Sequence, residues 1–349
     1  MQILMKKVTI KDIARIAGVS HSTVSRCLND SPNVSEKTKR LIKRIARDLN
    51  FEFNANARSL STNRTGTIGV ICPEIFERFG SFYYMELLMR SVRQSLEKAS
   101  MDTIITFARN SYTGESNIQK LVNRRKVDGL LLIHPNISSE DWQFINLRRV
   151  PNVVLHFKPQ NVSYNDMNYI FVDHEYGGYL ATEHLIRDGR RNILCINEDS
   201  SELQFIERMS GYKKALAEYD IPVMNRNILY GSCTYEFGYQ TIMDHRGILS
   251  DIDGIFAEAD IMALGAIAAL LDMGLTVPDD VAVVGYDDIE FGRIFRPSLT
   301  TVHQPRERLV SDACERLVRL VDGNGEHPLQ EMIKPELVIR ESCGVNRRN

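Results

Sequence analysis

Residues 8–26 of this 349-residue chain read VTIKDIARIAGVSHSTVSR, and this stretch decides the fold of the amino-terminal region. Thr9 stands three residues before Asp12, a spacing typical of the paired side chains that open a helix, with Asp in place of the usual Glu. Apolar residues then recur every three or four positions, which predicts a helix from Ile10 to Ala17. Gly18 can adopt the positive φ that a tight turn after this helix requires.

Two further helices are predicted after the turn. Ser20 has the residue type of a helix cap, and the second helix runs from about His21 to Asn29. A third helix, from Ser35 to about Asn50, braces the first two, and its inward-facing residues are predicted to be Leu41, Ile42, Ile45 and Leu49. Two short helices joined by a glycine turn and supported by a third are typical of a helix-turn-helix unit. The alternative is a plain three-helix subdomain.

The second helix presents a polar face at its amino-terminal end. Short hydroxyl side chains and the positive end of a helix suit contacts with phosphate, and Arg26 can make a bidentate contact with guanine in the major groove. The candidate DNA-binding residues of this region are Ser20, His21, Ser22, Thr23, Ser25, Arg26 and Asn29.

The net charge of −2 conceals an uneven distribution. Residues 1–66 hold 13 Lys or Arg and 5 Asp or Glu, a net charge of +8, whereas the remainder of the chain has a net charge of −10. A basic head on an acidic body is typical of a protein that presents one end to nucleic acid. The regular apolar periodicity argues against a solvated basic tail, because such a tail would have no buried face.

The segment Asn54-Ala-Asn-Ala-Arg-Ser-Leu60 follows the third helix. It is too short for a stable isolated helix, since helices below roughly 12 residues are marginal in water. A segment that folds only on DNA and against its dimer mate would act as a switch, and Leu60 could wedge between base pairs from the minor groove. The alternative is an ordinary linker. Further candidates for DNA contact are Asn54, Ala57 and Leu60.

Length and composition limit the class of protein. The chain is long enough for two or three structural units, and 43% apolar with 25% charged residues is ordinary for a folded globular protein. Six cysteines without a short-spaced pair predict neither a zinc site nor a disulfide framework and fit a reducing cytosol. The start of the chain lacks a signal-peptide pattern, and the longest apolar run, Ile261 to Leu271, is about half of a membrane span. We therefore expect a cytoplasmic protein with no membrane segment.

From Gly66 onward, short β-rich runs alternate with amphipathic helices, a pattern that predicts parallel sheets with helices on both faces. The candidate strands are Ile68–Cys72, Thr103–Phe107, Gly129–Ile133, Asn152–Leu155, Ile193–Ile196, Gly254–Ala257 and Val281–Gly285, and helices such as Tyr84–Ala99, Tyr176–Arg187 and Ile261–Met273 lie between them. Ligands of open α/β sheets bind at the carboxyl ends of strands, so a site is expected in the loops that follow the strands.

Three of these loops carry charged residues. Gly285-Tyr-Asp-Asp288 ends an apolar strand with two carboxylates, of which Asp287 is interpreted as a ligand group and Asp288 as structural; the alternative is a helix cap or turn. Arg208, near the start of a helix, could donate two hydrogen bonds to paired hydroxyls or to a carboxylate, or it could lie on the solvated surface. Asp260 is either the cap of the next helix or a ligand contact.

Taken together, these motifs resemble the lac repressor/purine repressor (LacI–GalR) family. The resemblance is carried by Val8-Thr-Ile-Lys-Asp-Ile-Ala, Gly18-Val-Ser, Thr23-Val-Ser-Arg26, Ala57-Arg-Ser-Leu60 and Ile68-Gly-Val-Ile71, and it runs in order from about Val8 to Cys343. It implies that His21 and Ser22 set operator preference. It also implies that Arg26 reads a base and that Leu60 is the minor-groove wedge. Phe53 departs from the family pattern, which usually has a proline before the hinge asparagine.

The same resemblance implies a body of two lobes, shaped like periplasmic sugar-binding proteins, with three chain crossings between them. It places an effector against Arg208 and Asp287, and the further pocket residues that it implies are Phe82, Tyr83, His156, Cys233 and Gln304. Cys233 stands where many members have an aromatic platform, Ala259 where a ligand-binding Asn is common, and His156 where Asp is frequent. The charged pair Arg208 and Asp287, which we call the clamp, is kept, whereas the groups that usually stack on a sugar or hydrogen-bond to it are lost. A sugar or sugar derivative is the expected effector.

The expected organisation is an all-α helix-turn-helix domain at 7–53, a hinge helix and linker at 54–66, and an α/β effector-binding and dimerisation domain at 67–345. The two lobes of that domain are expected at roughly 67–172 with 304–334, and at 173–303 with 335–345. We predict a homodimeric repressor of a pseudo-palindromic double-stranded DNA operator, because paired heads double the number of base contacts. Its other partner would be a small-molecule effector, a carbohydrate, and neither a cofactor nor a metal is predicted.

Two rival classes are less consistent with the sequence. An enzyme would require a phosphate-cradling glycine loop, a nucleophile elbow or a metal-spaced histidine pair, and none is present, so no catalytic residue is predicted. A periplasmic-type sugar-binding protein fits the body alone but fits neither the basic head nor the start of the chain. A regulator controlled by a protein partner is the remaining alternative.

Overall fold

The computed structural model describes residues 8–28, 33–49, 51, 64–73, 79–159, 165–199, 202–325 and 327–343. The predicted hinge segment, Asn54 to Leu60, and the candidate Asn29 lie outside the described residues.

The head is a three-helix unit formed by α1 (Ile10–Ala17), α2 (His21–Leu28) and α3 (Glu36–Asp48). The carboxylate of Asp12 accepts hydrogen bonds from the Thr9 backbone N–H at 3.0 Å and from the Thr9 hydroxyl at 2.7 Å, which fixes the start of α1. Gly18 ends α1 at φ +65°, in the left-handed region predicted for the turn.

The core of the head is formed by residues that are fully buried between the three helices, namely Ile13, Val24, Cys27 and Ile42. Leu41 was predicted from the sequence to face inward, but it is 46% exposed, so this prediction is wrong. The buried face of α3 is centred on Ile42 and Ala46. Leu41 precedes Ile42 by one position, and one residue turns a helix by about 100°.

The first lobe of the body contains a six-stranded sheet in the order β11-β5-β4-β3-β1-β2. All its pairings are parallel. Its strands are β1 (Thr67–Cys72), β2 (Asp102–Phe107), β3 (Gly129–Leu132), β4 (Asn152–His156), β5 (Tyr169–Val172) and β11 (Gln330–Ile333). Helices α4 (Phe79–Lys98) and α13 (Arg306–Val321) cover one face of this sheet, and α5 (Asn117–Asn123) and α6 (Ser139–Leu147) cover the other.

The second lobe contains a six-stranded sheet in the order β12-β10-β9-β8-β6-β7, parallel except for the β10–β12 pair. Its strands are β6 (Ile193–Glu198), β7 (Ile228–Gly231), β8 (Gly254–Ala257), β9 (Ala282–Tyr286), β10 (Thr300–His303) and β12 (Glu336–Val338). Its helices are α7 (His174–Arg187), α8 (Leu203–Glu218), α9 (Tyr235–Asp244), α10 (Arg246–Leu249), α11 (Asp260–Asp272) and α12 (Glu290–Ile294). Helices α7 and α8 pack on one face of the sheet, and α9 and α11 pack on the other.

The chain crosses between the two sheets three times, after β5, after β10 and after β11. The predicted architecture, a helical head with parallel sheets covered by helices on both faces, is confirmed. Five strands were not predicted from the sequence: β5, β7, β10, β11 and β12. No helix in the described ranges is long and apolar enough to cross a membrane.

Candidate ligand cleft and nucleic-acid interface

The two sheets turn their carboxyl edges toward one cleft. A cavity of about 30 Å³ lies there, lined by Tyr84, Met85, His156, Phe157, Gln204, Phe205, Arg208, Cys233, Ala259 and Asp287. Both lobes supply these residues, since His156 ends β4 in the first lobe and Asp287 follows β9 in the second. The cavity is large enough for about one water molecule, so the cleft is closed in this conformation.

Arg208 is the central charged group of the cleft and is 3% exposed. Its guanidinium lies over the Tyr286 ring at 3.8 Å from the centroid and over the Phe205 ring at 4.9 Å. Nη1 donates to the backbone carbonyl of Glu258 at 2.5 Å, and Nη2 lies 3.7 Å from Oδ1 of Asp287. Two aromatic rings therefore fix the plane of the guanidinium, and one of its edges faces Asp287.

Asp287 is held in an uncommon backbone conformation at φ +119°. Gln304 donates its Nε2–H to Asp287 Oδ1 at 2.7 Å, and Arg306 Nη1 donates to the Asp287 carbonyl at 3.1 Å. Burial raises the pKa of this carboxyl to about 6, although the nearby charge of Arg208 opposes the shift. Strained backbone of this kind persists only where the surroundings determine it, as is common at ligand sites.

The carboxylate of Asp288 is bound by side chains from three segments of the second lobe. It accepts hydrogen bonds from His303 Nδ1 at 3.0 Å, from Arg293 at 3.4 Å and from Arg340. These donors lie in α12, at the end of β10 and after β12, so one carboxylate ties together segments near two of the crossings. The donors hold the pKa of Asp288 well below its usual range, although burial alone would raise it.

Asp260 is the first residue of α11 and does not cap it, since the N-cap position is occupied by Ala259. The Thr301 hydroxyl donates to Asp260 Oδ1 at 2.5 Å, and the Ile289 backbone N–H donates to Oδ2 at 2.9 Å. Both carboxylate oxygens are thus engaged inside the second lobe. Of the two roles considered from the sequence, the capping role is wrong, and the hydrogen bonds give Asp260 a structural one.

His156 lies between the two lobes in a left-handed conformation at φ +71°. Its Nδ1 is 3.4 Å from the Tyr84 hydroxyl, and its ring packs against that of Phe157 at 4.5 Å between centroids. Burial, assisted by the charge of Arg208, lowers the pKa of His156 to about 3. The imidazole is therefore neutral near pH 7 and offers one donor and one acceptor.

The aromatic residues predicted for the pocket lie at its rim. Tyr83 packs edge-on against Phe291 of the second lobe at 4.9 Å between ring centroids, and Phe82 is 42% exposed. The cavity is lined instead by the next two residues, Tyr84 and Met85. Each residue turns a helix by about 100°, so a small error in register on α4 moves a side chain from the cavity to the rim. Cys233 and Gln304 are both buried at the cleft, as is Ala259.

An ion pair between the two lobes was not predicted from the sequence. Lys158, two residues after β4, lies with its Nζ 2.5 Å from Oε1 of Glu207 on α8. The pair joins the two lobes, and both side chains are mostly buried, 17% and 20% exposed. The sequence offered one indication that Glu207 lies near the cleft: it directly precedes Arg208 on the same helix.

A larger groove of about 450 Å³ lies between α4 and α13, lined in part by Lys98, Cys314 and Arg319. Arg319 is paired with Glu315 at 2.5 Å, and both side chains are more than 60% exposed. The cleft is the stronger candidate for a specific site, because its charged groups are buried, oriented and contributed by both lobes. The described residues include no cluster of His, Cys, Asp or Glu suited to a metal ion.

The head offers the exposed amino-terminal half of α2. His21, Ser22 and Arg26 are exposed, while Ser20 caps the helix by accepting a hydrogen bond from the Thr23 backbone N–H at 3.1 Å. The hydroxyls of Ser22 and Thr23 each lie 2.8 Å from the Ser20 hydroxyl. Ser25 is half-buried. Short polar side chains and one guanidinium on a protruding helix form a surface that fits the major groove.

Fold and site together define a regulator class: a helical head with a DNA-reading surface joined to a two-lobed ligand-binding body. Residues 9–54 match the family described as bacterial regulatory proteins, lacI family, and residues 182–343 match the periplasmic binding protein-like domain. The chain is 33% identical over 336 residues to the HTH-type transcriptional repressor PurR of Photobacterium profundum, covering 96% of this chain and 98% of that one. A PurR repressor of Histophilus somni is 32% identical over 339 residues, covering 96% and 98%.

This chain therefore belongs to the lacI family of bacterial transcription regulators, and the predicted resemblance is confirmed. It is a DNA-binding regulator and not an enzyme. Among solved structures, the lac repressor dimer bound to operator and the anti-inducer ONPF is 26% identical with a TM-score of 0.77, covering 97% of this chain and 99% of that one. The transcriptional regulator CelR–cellobiose complex is 28% identical with a TM-score of 0.68, covering 96% and 99%.

Proposed function

We propose that this protein is a homodimeric repressor that binds a pseudo-palindromic operator and responds to a carbohydrate effector bound between its lobes. The observation that carries the proposal is the buried clamp of Arg208 and Asp287, in a cleft that both lobes close, on a body joined to a helix-turn-helix head. Burying two charges is costly unless they are well paired, and a 3.7 Å contact is longer than a good charge-assisted hydrogen bond. A ligand that hydrogen-bonds both groups would complete the site.

The clamp suits a polyol. A guanidinium can donate two parallel hydrogen bonds to neighbouring hydroxyl oxygens, and a carboxylate accepts from hydroxyl groups. Cys233 and Ala259 leave an apolar wall beside the clamp. The solved structure of the transcriptional regulator CelR in complex with cellobiose shows that this fold accepts a sugar.

In the DNA-binding role, α2 would enter the major groove. Arg26 would read a base, His21 and Ser22 would set operator preference, and the caps and hydroxyls of α2 would hold phosphate. Leu60, in the hinge segment, would act as a minor-groove wedge. A single head offers few base contacts, which is why a dimer on paired half-sites is proposed.

The proposed dimer contact follows the open edges of the two sheets. Strand β2 is the edge of the first sheet and exposes 58% of Ile105, and β7 is the corresponding edge of the second sheet and exposes 54% of Tyr230. An unpaired edge strand with a large exposed apolar residue is a surface that proteins normally cover. The lac repressor dimer is a relative with a paired assembly.

Control by the effector would act through closure of the lobes. The closed cleft holds about 30 Å³, far below the 300 Å³ or so of a ligand pocket, so the lobes must separate before a sugar can enter. A change in closure alters the position of the first lobe relative to the second. The linker to the head departs from the first lobe, so the head would be affected as well. Coupling is reciprocal, so an effector that weakens operator binding must itself bind less tightly to the DNA complex.

The proposal includes the organisation and location of the chain. The head would comprise 7–53, the hinge and linker 54–66, and the effector-binding domain 67–345. A regulator that acts on bacterial DNA works in the cytoplasm, which is where we place it.

A thermal-shift screen of the purified protein tests the effector proposal. The panel contains mono- and disaccharides, sugar phosphates, nucleobases and nucleosides. A ligand at 100 times its dissociation constant adds about 2.7 kcal/mol to the free energy of unfolding, a rise of several degrees in Tm. A sugar hit supports the proposal. A hit confined to nucleobases contradicts the carbohydrate assignment, and silence across the panel favours control by a protein partner.

A further inference from the structure

The linker from the head enters the body at the amino edge of the first sheet. The Asp128 carboxylate accepts hydrogen bonds from the backbone N–H groups of Thr65 and Gly66, each at 2.7 Å. Arg64 donates to the Val321 carbonyl at 2.9 Å and also binds the Asp322 carboxylate. These contacts fix the point from which the head is tethered.

Two loops at the same edge are strongly basic. In a parallel sheet every helix-to-strand loop lies at the amino edge, and β3 and β4 follow β1 in the strand order. The loop before β3 contains Arg124, Arg125 and Lys126, and the loop before β4 contains Arg148 and Arg149. All five residues are exposed. We call this surface the basic edge; it stands out because the chain beyond residue 66 has a net charge of −10.

The charges of the basic edge are largely unneutralised. Among the residues that the structure describes, Arg124, Lys126 and Arg149 form no ion pair. The nearby carboxylates are otherwise engaged: Asp128 binds the linker backbone, and Asp322 binds Arg64. An uncompensated set of like charges raises the electrostatic energy of the free protein and attracts a polyanion.

The backbone gives a second, independent observation. Arg125 and Arg149 both have a φ of +49°, in the left-handed region that favours glycine. The matching loops of the second lobe, after α7, α11 and α8, place Gly189, Gly274 and Asp220 there, which are glycine or a residue type that tolerates this conformation. Among the residues that the structure describes, arginine occupies this strained position only in the lobe that carries the linker. Such a cost is expected where the side chain has a function.

We propose that the basic edge contacts the phosphate backbone of the DNA to which the head is bound. The tether places DNA within reach, since residues 51 to 64 can span at most about 45 Å when fully extended. The head itself is basic, with a net charge of +8 over residues 1–66, so the basic edge repels it until DNA lies between them. The contact would be independent of sequence, because phosphate carries no base information. The proposal rests on the DNA-binding function proposed above.

The test is the salt dependence of DNA binding by the full-length protein. The probes are a duplex carrying the sequence that the wild type selects from a random pool and a scrambled duplex of the same length. Each lost phosphate contact reduces the slope of log K against log salt by about 0.9. For Arg124→Gln/Arg149→Gln we expect a slope shallower by at least about 1.8, a weaker affinity for both duplexes at low salt, and an unchanged ratio between them.

A matched control removes the same charge elsewhere. Arg226→Gln/Arg246→Gln changes two exposed arginines of the second lobe and should leave the slope at the wild-type value. An equal change in both double variants would overturn the proposal, because net charge alone would then explain it. An unchanged slope in Arg124→Gln/Arg149→Gln would also overturn it.

Arg149→Gly separates function from folding. Glycine relieves the left-handed strain, so Tm should stay equal or rise while DNA affinity falls. A fall in Tm with unchanged DNA affinity would contradict the proposal. If the wild type binds neither duplex, the proposed DNA-binding function is wrong, and so is the proposal for the basic edge that rests on it. If the wild type binds and the variants match it, the basic edge alone fails.

Discussion

Lys158 and Glu207 form an ion pair across the mouth of the cleft, with 2.5 Å between Nζ and Oε1. Lys158 belongs to the first lobe and Glu207 to α8 of the second, so the pair holds the lobes together. The Tyr83–Phe291 ring contact also joins the two lobes. The cleft is therefore closed by two contacts outside the cavity, and a ligand must break or bypass them to enter.

Glu207→Gln should loosen this closure. Removing one charge of a mostly buried pair weakens the closed state by about 1 kcal/mol, which raises the fraction of open molecules about fivefold. We expect a larger radius of gyration by small-angle X-ray scattering and a correspondingly faster association of the effector by stopped flow. Glu175→Gln is the control, since Glu175 pairs with Lys214 at 3.0 Å within the second lobe. Identical scattering for Glu207→Gln and Glu175→Gln would show that the pair does not control closure.

Effector binding should depend on pH through Asp287. Burial raises the pKa of this carboxyl to about 6, above its usual value, so the protonated form predominates below pH 6 in the folded protein. The carboxylate is the better hydrogen-bond acceptor for hydroxyls, so affinity should increase as pH rises, by about tenfold between pH 5 and pH 7. Because the pKa of Asp287 in the folded protein lies above its usual value, the contribution of Asp287 to stability is greatest at low pH and is lost as pH rises through 6.

Isothermal titration calorimetry across this pH range measures the effect. Asp287→Asn should bind the effector with no pH dependence of this kind, because the amide does not ionise. A wild-type affinity that is flat from pH 5 to pH 7, or an unaltered profile in Asp287→Asn, would exclude Asp287 as the titrating group.

Arg26→Ala should weaken operator binding by about 1–3 kcal/mol and relax specificity at one base pair. The reason is the loss of a bidentate contact from an exposed guanidinium on α2. Fluorescence anisotropy with single-base operator variants measures both effects. Arg15→Ala is the control, because Arg15 lies on α1 and its side chain is 79% exposed beside Asp12. Uniform weakening on all sequences would make Arg26 a phosphate contact.

Ile105→Glu should dissociate the dimer. The substitution places a charge on the exposed edge strand β2, where a partner strand or helix would bury it without compensation. Analytical ultracentrifugation should show a monomer at concentrations where the wild type is a dimer. Leu147→Glu, at a side chain that is 84% exposed at the end of α6, should leave the dimer intact. A dimeric Ile105→Glu would place the interface elsewhere.

The sequence predicted the elements of the head and the central strands of the body well, for a physical reason. Thr9, Asp12, Gly18 and Ser20 act through local hydrogen bonds and backbone preference, which depend on near neighbours in the chain. The apolar runs that became β1, β3, β8 and β9 are buried on both faces and are continuous in the sequence.

The strands that escaped prediction are short or lie at sheet edges. β7, β11 and β12 are edge strands with mixed exposure, and their pairing depends on residues far away in the chain. The site shows the same limit. Arg208 and Asp287 were identified as ligand candidates, but their approach to each other, the Lys158–Glu207 pair and the role of Asp260 depend on tertiary packing, and no local pattern specifies them.

The most direct test of the account is operator affinity with and without the sugar identified by thermal shift, compared between the wild type and Arg208→Ala. We expect the sugar to change operator affinity in the wild type by about 5-fold to 150-fold, the usual range of allosteric coupling. Arg208→Ala should bind the operator like the wild type and ignore the sugar. If Arg208→Ala responds to the sugar as the wild type does, the cleft is not the effector site and the central claim is wrong.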